Sequence, residues 1–63
     1  MTVKEIRTKV KKVLIAKGGT MLNADSIELT NRYGISCIDI QNALNYFKYS
    51  PQQKAFREAY NIH

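Results

Sequence analysis

The stretch that decides the fold reads Ile27-Glu28-Leu29-Thr30-Asn31-Arg32-Tyr33-Gly34-Ile35-Ser36-Cys37-Ile38-Asp39-Ile40-Gln41-Asn42-Ala43-Leu44-Asn45-Tyr46-Phe47. It contains two apolar helical patterns separated by one glycine. Gly34 can end the first helix through a left-handed backbone conformation without a Cβ penalty. Ser36 can begin the second helix as its N-cap, with Asp39 at the spacing of a capping box. The stretch therefore predicts two short helices joined by a sharp corner.

Each of these two helices is expected to have one apolar face, because its hydrophobic residues recur at spacings of three and four. The first face comprises Ile27, Leu29 and Tyr33, and the second comprises Ile40, Ala43, Leu44 and Phe47. Ile35 follows the glycine, and we expect it to fill the crease between the helices. Two short helices cannot bury both faces alone, so the rest of the chain must cover them.

The first seventeen residues predict another helix, which begins with Thr2 as N-cap and ends at Gly18-Gly19. Its core-facing stripe is expected to comprise Val3, Ile6, Val10, Val13 and Leu14. The two glycines indicate a helix stop and not a phosphate-binding loop, because no strand precedes them and no Gly-Lys-Ser/Thr pattern follows.

The remaining segments complete a helical domain. We expect Met21-Leu22 to be a buried connector and either Asn23 or Asp25 to cap the next helix. Ser50-Pro51 indicates the start of a fourth helix, and Asn61–His63 is expected to fray. The apolar face of that fourth helix comprises Ala55, Phe56, Ala59 and Tyr60. The 63 residues thus predict one compact, all-α, four-helix domain spanning 1–63, without the β-hairpin of a winged variant.

The corner resembles the helix-turn-helix family of DNA-binding domains, of the small bacterial or phage regulator type. The resemblance covers about residues 26–47, with Gly34 at the turn glycine. The positions that the family keeps apolar are Leu29, Tyr33, Ile35, Ile40 and Ala43. Thr30 departs from the family's usual alanine, which widens the allowed crossing geometry. The family's second helix enters the major groove of double-stranded DNA. The resemblance therefore implies these base-reading candidates: Ser36, Cys37, Ile38, Gln41, Asn42 and Asn45.

The distribution of charge is consistent with a nucleic-acid partner. The chain carries a net charge of +5, and all of it belongs to the first seventeen residues, because the later basic and acidic residues balance. A basic helix face is a typical footprint of phosphate binding, although a lysine-rich solvated helix has the same composition. Lys9 is expected on the outer face of this helix. The phosphate-binding candidates are Lys4, Arg7, Lys11, Lys12, Arg32 and Lys48.

The predicted second helix of the corner has few basic residues for a helix that contacts DNA bases. It has no Arg or Lys before Lys48, so the commonest guanine contact is missing. Gln41, Asn42 and Asn45 can read adenine edges, and Ile38 or Cys37 can touch a thymine methyl group. Modest specificity, or a homodimer that pairs two half-sites, follows from this composition. Candidates for a self-association surface are Ile15, Phe56 and Tyr60.

Other functional classes have weaker support in the sequence. One Cys and one His do not provide a metal site, and Cys37 has no orienting partners for catalysis, so we expect no enzyme, metal or cofactor. The longest apolar run, 13–16, is too short for a membrane span, and no signal peptide is indicated, so we expect a cytoplasmic protein with no membrane partner. The main alternative is a small phage- or plasmid-type adaptor or inhibitor that binds a host protein through the same scaffold.

Overall fold

The computed structural model describes residues 1–62, which form four α-helices and no strand. The helices are α1 (Val3–Ala16), α2 (Asn23–Tyr33), α3 (Cys37–Tyr49) and α4 (Lys54–Tyr60), with a 3₁₀ turn at Pro51–Gln53 before α4. The radius of gyration is 10.9 Å, against about 10.6 Å for a compact chain of this length. The compact, all-α, four-helix architecture predicted from the sequence is confirmed, and the described part of the chain has no wing.

The corner between α2 and α3 has the glycine turn and the Ser36 N-cap that its sequence predicts, but only one of the two bonds of a capping box. Gly34 has a φ of 70° and donates its N–H to the Thr30 carbonyl at 2.9 Å, so α2 ends in a left-handed turn. Ile35 is buried in the crease. The Ser36 hydroxyl accepts the Asp39 N–H at 3.2 Å, which satisfies one of the free donors at the start of α3. The corner therefore fixes where α3 begins.

The core lies chiefly between α1 and α3. Its most deeply buried side chains are Val10, Leu14 and Ile40. The whole buried set comprises Ile6, Val10, Leu14, Leu29, Ile35, Ile40, Ala43, Phe47 and Ile62. Because the inner face of α3 is held against α1, the opposite face of α3 is turned to solvent.

Both ends of α1 are capped by the residues that flank it. The Thr2 side chain accepts the Glu5 N–H at 3.2 Å, and a Glu5 carboxylate oxygen accepts the Thr2 N–H at 3.3 Å. At the other end, Gly18 donates to the Ile15 carbonyl and Gly19 to the Leu14 carbonyl, which is a Schellman motif. Gly18 has a φ of 70° and Gly19 a φ of 98°.

Several predicted core positions are exposed instead. Val3 is 62% exposed because it lies in the first turn of α1, at the edge of the contact with α3. Leu22 is exposed and is itself the N-cap position of α2, where its N–H donates to Asp25 at 3.0 Å, so the prediction of a buried connector is wrong for Leu22. Ile27 and Tyr33 are exposed too, and α2 contributes only Leu29 to the core. A spacing of two places Ile27 and Leu29 on opposite sides of a helix.

The C-terminal segment also differs from its prediction. In α4 only Phe56 packs against the core, while Ala55, Ala59 and Tyr60 remain exposed. The expected fraying does not occur at Ile62, which is 8% exposed and belongs to the core; His63 lies outside the described residues. Asn61 adopts a left-handed φ of 56°, and the Ile62 N–H donates to the Arg57 carbonyl at 3.0 Å. This turn brings Ile62 back onto the core.

Candidate nucleic-acid interface

The candidate base-reading residues lie on the exposed side of α3. All six are exposed: Ser36, Cys37, Ile38, Gln41, Asn42 and Asn45. Ile38 is 73% exposed, and Tyr49, three turns further along the same face, is 75% exposed. At about 100° per residue, the four side chains that share one strip with Tyr49 are Ile38, Gln41, Asn42 and Asn45. We call these five residues the α3 strip.

Two of the six candidates are set apart from the strip. Cys37 and Asn42 are five residues apart, which places them about 140° apart around the helix. Cys37 is nevertheless only about 40° from Gln41, one turn away, so it borders the strip on the side opposite Asn42. The Ser36 hydroxyl oxygen is engaged as N-cap by the Asp39 N–H. The fold thus brings four of the six candidates onto the strip and a fifth, Cys37, to its edge.

Within the α3 strip, two amide side chains bind each other. Gln41 Nε2 donates to Asn45 Oδ1 at 3.1 Å, and both residues are exposed. They are one helical turn apart, the spacing at which side chains on a helix surface meet. This bond couples the two amides at the centre of the strip, so a partner meets them as one unit.

Arg7 is the candidate phosphate ligand whose environment differs most from the prediction. It is half-buried, and its guanidinium carbon lies 3.7 Å from the centre of the Tyr46 ring. The Tyr46 hydroxyl in turn accepts a hydrogen bond from Gln53 Nε2 at 3.1 Å. Arg7 Nε is buried and has no hydrogen-bond partner among residues 1–62. Arg7 therefore packs α1 against α3, and only part of its guanidinium reaches solvent.

The other cationic candidates differ in their exposure and in the contacts that their charged groups make. Arg32 forms an exposed ion pair with Glu28 at 3.8 Å. Lys48 is half-buried at a cavity of about 170 Å³, which is also lined by Leu14, Met21 and Leu44. Lys4, Lys11 and Lys12 are exposed on α1, with the Lys11 ammonium 5.0 Å from the centre of the Phe56 ring.

The basic flank of α1 borders the α3 strip. A shallow groove of about 70 Å³ separates the start of α1 from α3 and is lined by Val3, Ile6, Arg7, Asp39, Asn42 and Ala43. Lys4 and Lys11 share the flank of α1 with Arg7, at spacings of three and four. Arg7 of this flank and Asn42 of the strip therefore both line one groove, and the lysines lie beyond Arg7 on the same flank. Asp39 is the acidic residue that lines this groove.

Two cations have structural contacts that the sequence analysis did not identify. Lys9, expected on the outer face, is half-buried with its ammonium 4.0 Å from the centre of the Tyr33 ring, so that prediction is wrong. Arg57 donates to the carbonyls of Phe47 and Ser50, both at 3.0 Å, and so holds α4 against the C-terminal end of α3. No local sequence signal identifies either contact, because each partner lies at least seven residues away.

Other types of site have little support in the described residues. Between residues 1 and 62, no three His, Cys, Asp or Glu side chains converge as metal ligands. None of the helices described has the length and apolar composition required to cross a membrane. Compared with models of protein families, with curated proteins and with solved structures, the chain has no significant match.

Proposed function

We propose that this chain binds double-stranded DNA through the corner between α2 and α3, as a small transcriptional regulator or DNA-binding accessory factor. The observation that carries the proposal is the α3 strip, an exposed and uncharged row that includes three amide side chains and follows the left-handed corner at Gly34. In a helix-turn-helix, the corresponding face of the second helix enters the major groove. The protein would then act in the compartment that holds the DNA, which for a bacterial or phage regulator is the cytoplasm.

Charge supports the same proposal. Phosphate contacts provide most of the sequence-independent affinity of a DNA-binding protein. Lys4 and Lys11 are exposed on the flank of α1 that borders the groove next to the α3 strip. In this arrangement α3 reads base edges while α1 contributes phosphate contacts. Lys12 lies further round the exposed surface and adds to the long-range attraction of DNA.

The salt dependence of binding to random duplex DNA tests this proposal. We expect affinity for a fluorescently labelled random duplex to fall steeply between 50 and 200 mM salt, with a slope of about 0.9 per phosphate contact. The variant Lys4→Gln/Lys11→Gln should lower the slope by the amount expected for the loss of two phosphate contacts. The matched control is Lys54→Gln, which removes an exposed lysine at the start of α4. An absence of binding at low salt would contradict the proposal.

A second candidate function rests on the two large apolar residues of the same strip. Ile38 and Tyr49 are 73% and 75% exposed, and exposed aromatic and aliphatic side chains are typical anchors of protein interfaces. They favour an adaptor or inhibitor that binds a host protein through α3. This candidate predicts no salt-dependent binding to duplex DNA, so the titration separates the two functions.

A further inference from the structure

The hydrogen bond between Gln41 and Asn45 determines which amide atoms α3 offers to a groove. Gln41 Nε2 donates to Asn45 Oδ1 at 3.1 Å. Rotating the Asn45 amide by 180° would place its N–H₂ group opposite the Gln41 N–H₂ group and lose this bond. The bond therefore couples the two amides, because the Asn45 amide keeps a partner only if the Gln41 amide turns over with it. Asn45 Nδ2 keeps its two donor hydrogens, and Asn45 Oδ1 keeps a second lone pair.

This pattern of donors and acceptors fits one purine. In the major groove, adenine offers an acceptor at N7 and a donor at its N6 amino group, whereas guanine offers two acceptors, N7 and O6. In either orientation of the coupled pair, Asn45 keeps one free donor and one free acceptor, which is complementary to adenine. Against guanine, the amide oxygen would face O6 and leave two acceptors opposed. The chemistry of Asn45 thus favours adenine.

The other side chains of the α3 strip favour the same base pair. Ile38 lies one turn before Gln41 on the exposed surface, where it can contact the C5 methyl group of thymine. The strip contains no Arg or Lys that could bind guanine at both N7 and O6. Asp39, whose carboxylate could accept from cytosine, lines the groove towards α1 instead of lying on the strip.

We infer that the Gln41–Asn45 pair makes the proposed DNA site selective for A·T over G·C base pairs, with Asn45 contacting adenine and Gln41 acting as the positioning residue for Asn45. This inference rests on the proposed function and specifies the class of sequence that the site reads. Because the two amides act as one unit, the loss of either removes most of the selectivity. Their effects are therefore not additive.

The test measures the ratio of Kd values for two labelled duplexes of equal length, one of A·T pairs and one of G·C pairs, at a fixed salt concentration. We expect the wild type to prefer the A·T duplex by roughly 5- to 150-fold, the range for one bidentate contact. Gln41→Ala, Asn45→Ala and the double variant should each reduce the ratio to nearly one. Replacing adenine by 7-deazaadenine, which lacks the N7 acceptor, should weaken wild-type binding but not that of Asn45→Ala.

Two further variants separate positioning from a general loss of helix structure. Gln41→Leu can neither donate to nor accept from the Asn45 amide, so it should lose the A·T preference while the helix content, measured by circular dichroism, stays unchanged. Asn31→Ala removes an exposed amide from α2 and should keep the wild-type ratio. Salt-dependent binding with a ratio near one in the wild type, or a ratio unchanged in Asn45→Ala, would overturn this inference and leave the proposed function standing. Failure to bind either duplex would remove both.

Discussion

Arg7 and Tyr46 form a cation–π pair, with the guanidinium carbon 3.7 Å from the ring centre, and this pair joins α1 to α3. A half-buried pair of this kind stabilises the folded state by about 0.5–2 kcal/mol. Because the Tyr46 hydroxyl also accepts a hydrogen bond from Gln53, the contact connects α1, α3 and the 3₁₀ turn. Arg7 therefore has a structural role that its neighbour Lys4 lacks.

The first prediction follows from this difference. Arg7→Gln should lower the free energy of unfolding, measured by urea denaturation, by about 0.5–2 kcal/mol, while Lys4→Gln should change it by less than about 0.5 kcal/mol. In the DNA titration the order should reverse, with Lys4→Gln reducing the salt slope more than Arg7→Gln. Equal stability of the two variants would show that the ring contact contributes nothing.

The second prediction concerns the two glycines after α1. A Cβ at Gly19 would overlap the backbone carbonyl oxygen of Tyr60, whereas a Cβ at Gly18 would meet nothing within 4 Å. Both residues have positive φ, so both substitutions cost conformational energy. We expect Gly19→Ala to lower the free energy of unfolding by at least about 1 kcal/mol more than Gly18→Ala, since only the former also forces backbone apart. Thermal denaturation followed by circular dichroism measures both, and equal melting temperatures would contradict the close approach to Tyr60.

The third prediction tests the corner. Nothing lies within 4 Å of a Cβ built on Gly34, so a substitution there is limited by its φ of 70° and not by space. Gly34→Val should cost at least about 1–2 kcal/mol, because a β-branched residue is strained in the left-handed region. Gly34→Asn should cost less, since Asn tolerates that region. A Gly34→Val variant with the melting temperature of the wild type would show that the turn has a different structure.

The fourth prediction concerns acid stability. The backbone N–H of Thr2, followed by its hydroxyl, donates to the Glu5 carboxylate and lowers the pKa of Glu5 below its ordinary value. A lowered pKa in the folded state means that the bond stabilises α1 at neutral pH and is lost as the pH falls below about 4. Glu5→Gln can still accept the Thr2 N–H but does not titrate there. Its melting temperature should therefore fall less between pH 6 and pH 3 than that of the wild type, and identical slopes would refute the assignment.

The local signals in the sequence predicted the fold well. Gly34 and Ser36 act on their immediate neighbours, and caps of this kind depend on a few residues whose identity is visible in the sequence. Thr2 and Gly18 similarly mark the ends of α1. The predicted apolar face of α3 is also the face that packs on the core. A helix that packs on one side must place its apolar residues at the helical spacing, and this spacing is visible in the sequence.

Contacts across the chain were not predictable in the same way. The burial of Ile62 depends on where α4 places its last turn, and the exposure of Ile27 depends on how little of α2 reaches the core. Within the candidate site, the sequence indicated which amides lie on α3 but not that Gln41 binds Asn45. It assigned Arg7 to phosphate, because nothing local indicates a ring thirty-nine positions away.

The approach of Gly19 to the Tyr60 carbonyl has a consequence for how the molecule opens. This contact joins two points separated by about two-thirds of the chain, and it lies beside the turn that brings Ile62 onto the core. Detachment of α4 would expose the end of α1 and the core side chains that α4 covers. Local opening of a terminal helix is normally the cheapest fluctuation of a small domain. Here α4 and the last turn of α1 should lose the protection of their amide hydrogens from exchange with solvent together.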